Sequence, residues 1–355
     1  MAVPIRLSDA VDLYDESIKR TFDGKYKAAP ETYKQLCEVD TTNLYIDKSS
    51  AFTGFSTAKQ FSENESVLYE SPDQGFDISW TQREFGLGFA VTKKLWKFDR
   101  KNIIKKLPGK LADALVRKRE KDVQDYLYEC LAAPTGTSYT DSDGNTISIT
   151  GGDGKGIFSK THAMENDGTA ENNITYNGSA YNTVLSETGF DNAENYVAPR
   201  ILDGKEQKMV VNYKRLLIPK ALWPQAARLM KTDRKVGSAD WDKNIYFGAY
   251  EIVVMPYFNS SGDAFWILYD PNLGSEGLTF KWSQPVSLEG PELVFDTGSF
   301  KYKSTINNIV VVKFSLIVSE IQKWITRAKD KILSTLNDLT RELQIMEMQK
   351  SELCV

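Results

Sequence analysis

Apolar and polar side chains alternate most clearly between residues 67 and 91. Val67 and Tyr69 alternate, Ser71–Gly75 (SPDQG) supplies a turn, and Phe76, Ile78 and Trp80 alternate next. Phe85, Leu87, Phe89 and Val91 continue the pattern. A period of two puts such side chains on one face of extended chain, which predicts a long two-stranded ribbon carrying large aromatics. A lone hairpin is marginal in water. The ribbon therefore needs a partner surface, in the same chain or in another copy.

Beyond the ribbon the period changes. A basic stretch, KKLWKFDRKNIIKK (Lys93–Lys106), leads into Leu111, Leu115, Val123, Tyr126, Leu127, Cys130 and Leu131 at helical spacing. Pro108 suits a first helical turn and Pro134 is a stop, so a helix over 108–133 is expected, about 39 Å long. Its middle, RKREKD (Arg117–Asp122), is expected to be solvated or phosphate-facing. Residues 1–50 show only a weak helical pattern around Val11–Ile18, as expected of an arm lying on other surfaces.

Residues 181–297 read as a mixed α/β unit. KMVVNYKRLLIP (Lys208–Pro219), YEIVVMPYF (Tyr250–Phe258) and AFWILYD (Ala264–Asp270) predict strands, the last two joined by a turn over Asn259–Asp263. KALWPQAARLMKT (Lys220–Thr232) predicts a helix. No Gly or Pro occurs after Gly298. There Ile309–Val318 favours a strand, and Ile321, Trp324, Ile325, Ala328, Ile332, Leu336, Leu339, Leu343 and Met346 form one helical stripe. Such a stripe must be buried, so residues 319–349 are expected to be a packed helix. A shifted reading frame near Ile306 or a gene fusion is the other account of this tail.

Composition narrows the function. With 41% hydrophobic and 26% charged residues the chain reads as globular. A net charge of −4 gives no sign of a broadly basic nucleic-acid surface. No signal-peptide pattern and no apolar run of membrane-spanning length is present, and three scattered cysteines fit a reducing compartment. Expression in a host cytoplasm, with no membrane partner, is expected.

The stretch GGDGKGIFSKTHAMENDG (Gly151–Gly168) looks chemical, with five glycines and the only histidine, His162. Yet each Gly-Lys pair is followed by Tyr26, Leu111, Gly156 or Glu206 and never by the Ser or Thr of a phosphate loop. DSDGNTISI (Asp141–Ile149) has Thr146 and Gly152 where a calcium loop needs its glycine and its bidentate glutamate, so a hairpin turn is expected. A single histidine with no paired cysteines builds neither a zinc site nor a triad. The stretch reads as a connector. No catalytic residue, cofactor or metal is expected, and a carboxylate-dependent hydrolase stands only as a remote alternative.

In order and spacing, GIFSKTH (Gly156–His162), LLIPKALWPQAARLM (Leu216–Met230), YEIVVMPYFNSSGDAFWILYDP and GLTFKWSQPVSLEGPE (Gly277–Glu292) resemble tailed-phage major capsid proteins of the Hong Kong 97-type fold, closest to the Mu-like head-subunit family. The resemblance covers residues 51–303 and carries no catalytic motif. It implies an α+β fold with an N-terminal arm (1–50), an extended β-ribbon loop (51–98), and a peripheral domain (99–180) holding the spine helix and the connector. An axial domain (181–297) and an atypical C-terminal strand and helix (298–355) complete it. By the same resemblance, GLTFKWSQPVSLEGPE supplies a strand and an exposed loop.

The implied function is self-assembly into hexamers and pentamers of an icosahedral shell around double-stranded DNA. A separate scaffolding protein, a portal and decoration or cement proteins are the implied partners. Val67, Tyr69, Phe76, Ile78, Trp80, Phe85, Leu87 and Phe89 are then the ribbon interface. Lys93, Lys94, Lys97, Arg100 and Lys101 face either packaged DNA or acids of a neighbour. A nanocompartment shell of the encapsulin type is the alternative within the same fold.

Overall fold

The computed structural model describes residues 7–52, 55–71, 74–92, 94–95, 98–99, 102–133, 136–158, 175–176, 179–180, 184–198, 208, 210–234, 242–258, 265–272, 277–294, 296–312 and 318–321. The chain forms two compact units. The first comprises Met1–Glu171, Leu202–Gln207 and Pro271–Ile317; the second comprises Asn172–Ile201, Lys208–Asp270 and Val318–Val355. The expected boundary after residue 297 is therefore displaced. The chain re-enters the first unit at Pro271, because residues 278–312 pair with strands from the first hundred positions.

In the first unit, helix α1 (Leu7–Lys27) and a short turn of helix α2 (Tyr33–Leu36) precede β1 (Glu38–Thr41). Next come β2 (Ile46–Phe52), β3 (Gln74–Thr81) and β4 (Arg83–Thr92), then the long helix α3 (Ile103–Ala132). A small hairpin, β5 (Ser138–Thr140) and β6 (Thr146–Ser148), stands after it. Two late strands, β12 (Leu278–Val294) and β13 (Ser299–Val312), complete a four-stranded sheet in the order β1-β12-β13-β4. The expected exposed loop in GLTFKWSQPVSLEGPE is thus a continuous strand, paired with β13 from Leu278↔Val312 to Val294↔Ser299.

Helix α3 begins five residues before the expected start at Pro108, which lies inside it. Asp99 explains the extra turn: its carboxylate accepts from the Ile103 and Ile104 N–H groups at 3.0 and 2.9 Å, satisfying two donors that a helix start leaves orphaned. Ile18 and Phe22 of α1 pack with Ile104, Leu111 and Leu115 of α3 over Val91, Leu288, Tyr302 and Ile306 of the sheet. This is the core that carries every extended element of the unit.

The ribbon differs from its expected form. Its two strands are β2 and β3, paired antiparallel from Ile46↔Thr81 to Phe52↔Gln74. Val67 and Tyr69 lie between them in irregular, exposed chain. Strand β4 belongs to the main sheet, running Arg83↔Asn308 to Thr92↔Ser299 along β13. The period of two is real but says nothing of which strand each one meets.

The second unit is built on β9 (Arg215–Pro219), with β10 (Glu251–Met255) parallel on one side and β11 (Trp266–Tyr269) antiparallel on the other. Strands β10 and β11 are therefore not neighbours, and the expected turn over Asn259–Asp263 lies outside the described residues. Two short strands, β7 (Thr175–Tyr176) and β8 (Ser179–Ala180), and helices α4 (Glu187–Asn192) and α5 (Trp223–Lys231) complete it. Strand β14 (Val318–Ile321) pairs with β11, Trp266 opposite Ile321. The tail helix expected over 319–349 thus begins as a strand: Ile321 extends a sheet whose neighbour, β11, is buried throughout. Trp324, Ile325, Ile332, Leu336, Leu339 and Leu343 lie outside the described residues.

Candidate assembly surface

Two charge clusters fix the direction of the long elements of the first unit. The first ties the N-terminal arm to the spine helix. Arg119 of α3 is 1% exposed and its guanidinium lies between the rings of Tyr33 (4.4 Å) and Tyr26 (5.1 Å). It donates to the Tyr26 hydroxyl at 3.0 Å and pairs with Glu120 at 3.4 Å. Glu120 also accepts the Tyr33 backbone N–H at 3.1 Å. Burial raises the Glu120 carboxyl above its ordinary pKa, against the pull of Arg119. The stretch Arg117–Asp122 is therefore not a solvated face: Arg119, Glu120 and Asp122 are buried, and only Arg117 is exposed. The physical reason is cover from two sides: α1 and the Tyr33 segment lie over Arg119 and Glu120, while Lys118 and Arg83 lie beside Asp122.

The second cluster holds the base of the ribbon. Lys281 of β12 is 7% exposed; its ammonium meets Asp47 of β2 at 2.9 Å and Asp40 of β1 at 3.2 Å, and lies 4.5 Å from the centre of the Trp80 ring. Burial acts to raise the Asp47 pKa, but the hydrogen bond and charge of Lys281 outweigh it and leave the carboxyl below its usual range. The ribbon is thus clamped to the central sheet by a cation from the far end of the sequence.

A third contact joins α3 to the β5–β6 hairpin. Lys118 pairs with Asp122 (3.1 Å) and Asp143 (2.9 Å) and sits 4.3 Å from the centre of the Phe85 ring. Desolvation opposes its charge, yet Asp122 and Asp143 raise its pKa on balance. The turn itself is an Asp141 side chain accepting from the N–H groups of Asp143 and Asn145. Further along, the glycine-rich stretch touches the ribbon: a Cβ placed on Gly152 would lie 2.8 Å from Phe76 Cβ. Close approach, more than turning, explains that glycine. His162 lies outside the described residues.

The expected interface residues separate into two groups. Trp80 is buried in the Lys281 clamp, while Phe76 and Ile78 are half-buried on the ribbon. Phe85 and Phe89 pack against the helix–sheet core, and Leu87 beside them is half-exposed. The other two expected residues, Val67 and Tyr69, lie at the ribbon tip, where Phe55, Phe61, Val67 and Leu68 are 51–61% exposed and Tyr69 is 91% exposed. Of the expected basic strip, Lys94 is exposed; Lys93, Lys97, Arg100 and Lys101 lie outside the described residues. Arg119 had one signal in the sequence, since it fills the gap in the apolar repeat between Leu115 and Val123. Lys281 and Gly152 had none.

A two-stranded ribbon, a long helix crossing a sheet, and exposed apolar surface at the far end of the ribbon are the parts of a shell-building protein. The sequence profile described as phage capsid protein matches residues 77–314, and the chain belongs to that family. No curated protein sequence matches the chain. The fold is similar to the capsid of a native GTA particle (TM-score 0.51, 12% identity, covering 83% of this chain and 91% of that one). It is also similar to the capsid of the cyanophage P-SCSP1u (TM-score 0.50, 11% identity, 82% and 87%). The architecture is the α+β, Hong Kong 97-type fold, and the protein is a structural major capsid protein of the virion shell, not an enzyme. Neither the nanocompartment nor the hydrolase alternative is favoured.

Proposed function

We propose that this chain is the head subunit of a Mu-like tailed phage. It forms hexamers and pentamers in which each ribbon is buried on a neighbouring subunit. The observation that carries this reading is the ribbon tip, with five large apolar side chains from Phe55 to Tyr69 at least half exposed and no core of their own. Many copies of one modest contact then close a shell.

On this reading the residues before Ile46 are the arm, the ribbon of residues 46–81 is the extended loop, the rest of the first unit is the peripheral domain, and the second unit packs around capsomer centres. The residues after Ile321 supply a tail helix packed through Trp324, Ile325, Ile332, Leu336, Leu339 and Leu343. Assembly takes place in the host cytoplasm with a separate scaffolding protein, a portal and decoration proteins. Lys93, Lys94, Lys97, Arg100 and Lys101 meet packaged DNA or acids of a neighbour.

Replacing residues 55–71 with a short Gly/Ser turn tests the reading. The expected product is folded by circular dichroism yet fails to form shells, tubes or capsomers in negative-stain images. Normal shells from this variant would overturn it.

A further inference from the structure

The segment Ser66–Glu70 (SVLYE) has the alternation of a strand, yet among the described residues it belongs to no sheet. The first unit also holds a groove with unpaired strand edges. Among the described residues, strand β3 pairs only with β2, and β6 only with β5. Between them opens a cavity of about 590 Å³ lined by Tyr45, Ile78, Trp80 and Gln82 on one side and by Tyr126 and Ser148 on the other. At one end it is limited by the contact of Phe76 with Gly152.

Gln82 is 5% exposed, and among the described residues neither its amide nitrogen nor its amide oxygen has a hydrogen-bond partner, nor has the Trp80 indole N–H. Buried polar atoms are ordinarily paired, so these call for an account. The edge of β3 away from β2 presents main-chain carbonyls and N–H groups, and a strand of main chain offers the matching groups.

From these observations we infer that residues Ser66–Glu70 of one copy add as a strand to the free edge of β3 in the next copy, with the side chains of Val67 and Tyr69 entering the groove and that of Leu68 on the opposite face. The inference rests on the reading that the ribbon is buried on a neighbour, and it names the receiving site and the mode of contact. Five residues of strand span about 17 Å. The five exposed apolar side chains of the tip offer on the order of 500 Å² of surface to bury, against about 800 Å² per partner in a stable pairwise interface. One such contact is too small to hold an isolated dimer. Because tip and groove are different patches, the contact is head-to-tail and closes only as a ring.

The test is a cysteine pair, Tyr69→Cys with Ser148→Cys, in a full-length Cys354→Ser background, oxidised after assembly. The expected result is a denaturing-gel ladder from two to six chains, with neither single-cysteine control giving one. Monomer bands alone, or a disulfide within one chain, would overturn the groove assignment. A second variant, Val67→Asp with Leu68→Asp, is expected to lower the yield of particles at least about tenfold with an unchanged far-ultraviolet spectrum. Wild-type yield would overturn it too. The Gly/Ser replacement of 55–71 keeps the two failures apart. If that replacement blocks assembly while the cysteine pair stays monomeric, the ribbon is needed but docks elsewhere; if it leaves shells intact, the underlying reading falls.

Discussion

In the second unit, Phe190 is fully buried with the rings of Tyr246, Tyr250 and Trp266 at 5.1–5.3 Å. In the first unit Arg119, Glu120 and Lys281 are buried beside the apolar core. The difference comes from shape. The second unit wraps one short sheet with helices around an apolar cluster, and its buried polar side chains, Asn244 and Asp270, bond nearby backbone. The first unit must hold an arm, a ribbon and a 30-residue helix in set directions, and thin elements bury little apolar area. Hydrophobic contact is non-directional. A hydrogen-bonded charge pair fixes an angle, and the first unit places one at each junction.

That contrast can be broken at its two centres first. Arg119→Ala strips Glu120 of its cation in a buried site, and a loss of about 3–5 kcal/mol of unfolding free energy is expected in denaturant titration. The double change Arg119→Met with Glu120→Gln is expected to restore much of that loss, since it removes the unpaired charge. In the second unit a cavity has the same weight: Phe190→Ala is expected to cost about 3–5 kcal/mol, with no rescue by any charge change.

Smaller effects sharpen the comparison at the ribbon. Lys281→Met leaves Asp47 and Asp40 without their ammonium, with an expected loss of about 1–3 kcal/mol and faster proteolytic cutting within residues 46–81. Gly152→Ala forces the connector and Phe76 apart, expected at about 1–3 kcal/mol, and is read by the same proteolysis.

The smallest effect is a pH dependence whose sign differs between the two clamps. Asp47 has a depressed folded pKa, so its contribution is present above the unfolded value of about 3.9 and is lost as the pH falls through the folded one. Glu120 is raised by burial, so its protonated form favours the fold and acid does not cost the arm that contribution. Acid is therefore expected to release the ribbon to protease before it releases α1. Release in the opposite order would contradict the assignment of the clamps.

The second unit is the more legible in sequence for the same reason that its core is apolar. Runs such as Leu216–Ile218 and Trp266–Tyr269 announce buried strands, and the helix at Trp223–Lys231 keeps closely to its pattern. In the first unit the pattern identifies extended chain correctly at Phe76–Trp80 and Phe85–Val91 but assigns the wrong partners. Pairing depends on residues hundreds of positions away, such as β13 beside β4. A run like Arg117–Asp122 reads as solvated because charge alone carries no sign of what will cover it. Only the break in the apolar repeat at Arg119 hints otherwise. The apolar character of the ribbon tip is plain in the sequence, whereas the groove is lined from five separate stretches of chain and has no local signature.

The clamp at Lys281 also sets an order in time. Asp47 leaves the ribosome 234 residues before Lys281, a delay on the order of ten to fifty seconds at common translation rates. The two inner strands of the main sheet, β12 and β13, emerge in the same late interval, so arm, ribbon and spine helix wait together for their centre. A nascent or prematurely ended chain cannot point its ribbon, and so has no aligned edge to offer to a growing shell. A chain that ends before residue 312 is therefore expected to lack the geometry of a subunit, and a lattice built from one repeated contact is expected to leave such fragments out.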